Sequence, residues 1–121
     1  MSGWRAAIAE ARRDPTRRRA AVKAVLTELT ARAPGRSVEL RVPPYGATQV
    51  VEGPPHRRGT PKATIELAAD TLFDLAQGTT DWAGAVAAGD VLASGERTDL
   101  AHLFPLDPNT FPLDPDIGSN S

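Results

Sequence analysis

At 121 residues with 40% hydrophobic content, the chain holds enough apolar material for one core and too little for two. It has no cysteine, which excludes a disulfide framework, a thiolate nucleophile and a thiolate metal site, and which suits a reducing cytoplasm. The net charge of −1 conceals a polarised chain: residues 1–62 carry 13 Lys and Arg against 5 acids, whereas residues 63–121 carry one Arg against 10 acids. The two halves should attract each other, which makes intramolecular pairing the default reading of the basic half, ahead of binding to nucleic acid or anionic lipid.

In chain order, the first amphipathic segment runs from Trp4 to Arg13, with Trp4, Ala7, Ile8 and Ala11 on one side. Asp14 and Pro15 then mark the start of a longer helix that ends at Pro34-Gly35. Its apolar stripe is Ala21, Val22, Val25, Leu26 and Leu29, with Arg18, Arg19, Lys23 and Glu28 mostly elsewhere. Val38, Leu40 and Val42 alternate with Glu39 and Arg41, the period of a half-buried strand; after the Pro43-Pro44-Tyr45-Gly46 turn a second strand is expected over Gln49 to Val51. Gly53 to Pro61 is a loop carrying the His56, Arg57, Arg58 cluster.

Ile65 and Leu67 mark the next strand, and Asp70 is a candidate N-cap for a helix with Leu72, Leu75 and Ala76 on one face. Gly78 can end that helix in a left-handed conformation, and Thr80 can cap the next one, with Trp82, Ala85 and Val86 inward and Gly89 as its stop. Val91 to Ser94 reads as a short strand closed by Gly95. Thr98 or Asp99 then caps a last turn holding Leu100, Leu103 and Phe104, and Pro105 stops it. The tail repeats Phe-Pro-Leu-Asp-Pro at 104–108 and 111–115, and its prolines exclude regular structure. It is either a free tail or an arm that seats Phe111 and Leu113 in a groove.

The strings Leu-Phe-x-Leu-Ala-x-Gly, Trp-Ala-x-Ala-Val-x-x-Gly, Ala-Ser-Gly and a closing Leu-x-x-Leu, preceded by Pro-Pro-Tyr-Gly and His-Arg-Arg-Gly-Thr-Pro, resemble the sterol carrier protein type 2 superfamily. In particular the chain is similar to small, stand-alone actinobacterial sterol carrier family proteins over roughly Val38 to Leu106. The resemblance implies an α+β fold with helices over a sheet, and a tunnel or cavity between the two. Leu72, Phe73, Trp82, Val86 and Phe104 would then hold the apolar part of a ligand, although core packing is the default for such spacing. Tyr45, His56, Arg57 and Arg58 would receive an anionic head, against the plainer reading of a solvated loop.

Reactive chemistry is hard to find. The two histidines, His56 and His102, fall in no metal-ligand spacing; no serine lies in a nucleophile elbow; and the glycines at 78, 89 and 95 are too far apart to cradle a phosphate. Asp107, Asp114 and Asp116 lie in the tail, where nothing fixes the separation that paired acid and base work requires. No catalytic residue, metal or cofactor is therefore expected.

The expectation is one α+β domain over residues 1–106, with a helical N-terminal segment over 1–33, an antiparallel or mixed sheet of four to five strands covered by helices, and a Pro-rich tail over 107–121. The expected function is non-catalytic binding or carriage of a lipid or other small apolar ligand. Two alternatives stand beside it. One is an accessory domain acting with a partner chain, by likeness to the C-terminal part of actinobacterial thiol-cofactor-dependent isomerases and transferases; the other is a protein-protein interaction module. Nucleic-acid binding is not expected, because no recognition motif appears. Neither a signal peptide nor a run of about eighteen apolar residues is present, so the expected location is cytoplasmic, without stable membrane insertion.

Overall fold

The computed structural model describes residues 3–53, 63–95 and 98–106. The loop bearing His56, Arg57 and Arg58 and the tail from Asp107 lie outside the described residues.

Helix α1 (Gly3–Arg13) buries Trp4, Ile8 and Ala11, the row its spacing puts on one face, with Ala7 partly buried beside them. Asp14 acts as a cap, as expected: its Oδ1 accepts from the Thr16 amide at 3.0 Å and the Thr16 hydroxyl at 2.7 Å. The turn so capped is a short 3₁₀ segment, Pro15–Arg17, and helix α2 proper spans Arg18–Arg32. All five stripe residues, Ala21, Val22, Val25, Leu26 and Leu29, are buried.

Strands β1 (Val38–Val42), β2 (Gly46–Val50), β3 (Ala63–Leu67) and β4 (Val91–Ser94) form a mixed sheet in the order β2-β1-β3-β4. The β1–β2 and β3–β4 pairs are antiparallel, and β1–β3 is parallel. β2 begins earlier than its composition indicates, because the hairpin pairs Val42 with Gly46 directly after the turn. It also ends earlier: Val51 is left-handed (φ 70°), donates its N–H to Ala33 O at 2.7 Å and accepts from Ser37 N at 2.9 Å. Gly35 permits this close approach, since a Cβ there would overlap the Val51 carbonyl and the Glu52 nitrogen. The register puts Val38, Leu40, Val42, Val50, Ala63, Ile65, Leu67 and Val91 on the inner face, all buried, and Glu39, Gln49, Thr64, Glu66 and Leu92 on the outer one.

Helix α3 (Ala69–Gln77) comes after β3 with Ala68 at its N-cap position, so Asp70 is a first-turn acid and not the cap. Gly78 closes the helix in the left-handed conformation (φ 81°), returning its N–H to Asp74 and Leu75 carbonyls. Helix α4 (Trp82–Ala87) is capped by Asp81 in place of Thr80: Asp81 Oδ1 accepts from Gly84 N at 2.7 Å. Such a cap contributes about 1 kcal/mol. Six residues give less than two turns, so α4 meets the body through Trp82 and Ala85 and leaves Val86 outward, 47% exposed.

The polarity of the chain is used to join its halves. Arg12 on α1 reaches Asp74 (3.0 Å) and Gln77 (2.9 Å) on α3, and Arg18 on α2 reaches Asp70 (2.9 Å). Both guanidiniums also lie over the ring of Phe73, at 5.8 and 5.9 Å. Hydrogen bonding to Asp70 first, then the neighbouring Tyr45, raises the Arg18 pKa above its usual value.

Candidate functional site

The interior is where a carrier of this architecture would hold its cargo, and here it is filled. A side chain with no accessible surface touches no space that a water-sized sphere can enter, enclosed space included. Leu40 and Ile65 at the centre of the sheet, Val22, Val25 and Leu29 on α2, and Leu72, Phe73 and Leu75 on α3 all stand at 0%. Leu72 and Phe73 thus serve as core packing, with helix stripes resting on sheet side chains.

Trp82, a buried residue of the core cluster, and Phe104, partly buried against that cluster, are brought together at its edge. Their rings lie nearly parallel, 4° apart with centroids at 6.1 Å, although 22 residues separate them in the chain. Each is positioned from its own side. Asp81 sets the start of α4 and so the direction of Trp82. On the other side, Asp99 Oδ1 accepts from Ala101 N (2.9 Å), Leu100 is buried, and Leu106 is strapped down by N–H donation to Ala76 O (2.9 Å) and by Arg32 Nη1 donating to its carbonyl (2.6 Å). Phe104 and Pro105 are thereby held between two anchored leucines.

The pair walls a surface cleft of about 580 Å³ between the end of α3, the start of α4 and the C-terminal segment. Thr79, Thr80 and Asp81 supply its polar rim, and Ala83, Ala101 and Pro105 complete the lining. Sequence reasoning passed over these rim residues because they sit in the connection between two helices, where they read as turn and cap. The volume lies within the range of small-molecule sites, which run from about 300 to 1,000 Å³. Among the described residues that line it, the one carboxylate, Asp81, accepts from Gly84 N.

The remaining sequence candidates fall elsewhere. Val86 is exposed and lines none of this cleft. Tyr45 lies half-buried beside α2, where the Arg19 guanidinium packs on its ring (5.7 Å) and Arg19 Nη1 donates to its carbonyl (3.3 Å). A groove of about 730 Å³ opens there between α2 and β2. A further cleft of about 530 Å³ lies between the end of α2 and the C-terminal segment, with His102 and Leu103 on its wall. Among the described residues no three His, Asp or Glu side chains gather as a metal site would require, and no helix is long and apolar enough to cross a membrane.

No curated protein matches the chain. The family model described as Bacterial SCP ortholog matches residues 14–106, from the Asp14 cap to the strapped Leu106 and leaving α1 outside. The chain therefore belongs to the bacterial orthologues of the sterol carrier protein.

Proposed function

We infer that the protein is a non-catalytic binding domain for a lipid or other small apolar ligand, and that the Trp82–Phe104 cleft receives it. The carrying observation is the pair of nearly parallel rings on the wall of a small-molecule-sized cleft, at the edge of a core whose central side chains leave no room for cargo. Family membership supports the ligand class.

Native mass spectrometry of the purified protein, with organic extraction of anything bound, tests the reading. A discrete apolar adduct is expected, weakened by Trp82→Ala and by Phe104→Ala, which truncates the more accessible partner at smaller risk to the fold. Trp4→Phe leaves Trp82 as the single tryptophan, so that its emission reports occupancy of the cleft directly. A clean apo mass and unchanged Trp82 emission across a lipid panel would refute the assignment.

A further inference from the structure

We propose that the groove between α2 and β2 is a second binding site, selective for a phosphate monoester attached to an apolar body. Arg19, Lys23 and Thr27 recur every four residues and form one row along α2, facing the start of β2 across the groove. Because β2 and β4 are opposite edges of the sheet, and α4 lies against β4, this is a different place from the Trp82 cleft.

Among the described residues nothing compensates the charge of the groove. Among the described residues no acid lines it and no carboxylate pairs with Arg19 or Lys23. The nearby acids are taken: Glu28 by Arg32 at 2.6 Å, Asp70 by Arg18 and Asp74 by Arg12. Two like charges at i and i+4 repel, and an anion between them turns that repulsion into attraction. A phosphate monoester carries about −1.5 to −2 at neutral pH and balances the pair, whereas a carboxylate neutralises only one of them.

The donor inventory points the same way. Arg19 spends one N–H on the Tyr45 carbonyl, and its stacking on the Tyr45 ring holds the rest of the fork at the groove. Lys23 offers an ammonium with three donors, none of them bonded among the described residues. Thr30 gives its hydroxyl proton to Leu26 O (2.9 Å) and so accepts from Thr48 (2.9 Å), which uses the protons of both. Thr27 keeps its own. The site thus offers a guanidinium, an ammonium and a hydroxyl to one tetrahedral oxyanion, beside an apolar wall of Leu26, Ala31 and Ala47.

The test uses full-length protein at low salt, with backbone amide NMR shifts read alongside calorimetry. The probes are inorganic phosphate, glycerol 3-phosphate, lysophosphatidic acid below its micellar concentration, and a monoacylglycerol of the same chain length. The phosphate-bearing probes are expected to shift Lys23, Thr27, Ala47 and Thr48 saturably. Lys23→Gln is expected to weaken binding about tenfold, the worth of one partly exposed charge-assisted hydrogen bond, and Arg19→Gln with Lys23→Gln to weaken it further. Both side chains lie on the surface, and circular dichroism checks that the variants keep the fold. Lysophosphatidic acid binding far more tightly than glycerol 3-phosphate identifies a lipid head group; equal affinities overturn the part of the proposal that requires an apolar body.

Absence of saturable shifts on α2 and β2, or equal binding by the double variant, overturns the proposal. The neutral monoacylglycerol keeps the two sites distinguishable. Its uptake at Trp82, with the groove silent toward every phosphate-bearing probe, refutes the groove alone, and phosphate binding without that uptake refutes the apolar cleft alone.

Discussion

Truncating Phe73 to alanine separates a filled core from a cargo tunnel more sharply than any other single change. Its ring is at 0% exposure and carries two guanidiniums, Arg12 and Arg18, on it. Removing a fully buried Phe side chain costs about 3–5 kcal/mol, the lost transfer energy plus the cavity left behind. Each cation-π contact adds about 0.5–1 kcal/mol, partly recovered as the guanidiniums gain water. The expected loss is thus about 4 kcal/mol, against a total of roughly 5–15 kcal/mol for a domain of this kind. At 4–8 °C per kcal/mol for a small domain, the melting temperature should fall by roughly 15–30 °C. Urea unfolding monitored by far-UV circular dichroism measures it, with Phe73→Leu beside it as a variant that keeps most of the volume and the fold. If Phe73 instead lined ligand space, its truncation would cost little and enlarge the site. A loss below about 1.5 kcal/mol together with increased uptake of an apolar probe would refute the core assignment.

Gly35→Ala should destabilise the protein by several kcal/mol, because a Cβ there overlaps the Val51 backbone and the residue sits at positive φ (149°). A melting temperature equal to that of the parent would show that the α2-to-β1 connection relaxes freely. Asp14 makes the 3₁₀ turn that leads into α2 sensitive to acid. Its pKa is lowered chiefly by the Thr16 hydroxyl and then by the Thr16 amide, so the cap contributes fully above the unfolded-state pKa and is lost as pH falls through the lower folded value. Carboxyl-carbon NMR should therefore place the Asp14 midpoint below that of an unstructured aspartate, and Thr16→Val should raise it; identical midpoints in the two proteins would exclude the hydroxyl as the cause.

The folding elements were legible because they arise from local periodicity and from end signals a few residues long. The α2 stripe, the alternation in β1 and β3, and the stop at Gly78 each depend on neighbours within one or two turns. The misplacements are also local. Thr80 and Asp81 are both competent caps, and only the observed extended backbone at Asp81 selects it. A period-3.6 stripe assigns Val86 inward, but a helix as short as α4 has room to bury only one edge of that stripe.

The candidate sites were less legible, since each joins residues that are distant in sequence. Tyr45 reads most naturally with the His56-Arg57-Arg58 loop; in the fold it meets Arg19, 26 residues upstream, because α2 lies along β2. Trp82 and Phe104 were recognisable as apolar candidates, yet their stacking depends on the strap that ties Leu106 to Ala76 and Arg32.

The sequence by itself determined the helices, the strand alternation, the polarised charge that joins the halves, and the family, because these arise from residue spacing and from strings that occur within short windows. Only the tertiary structure decided that Leu72 and Phe73 are sealed inside the core while Trp82, at the edge of the same core, and Phe104 line a cleft. Apolar side chains carry the same signal in either place, and which of them meets a neighbour and which meets a space is settled by how the elements pack.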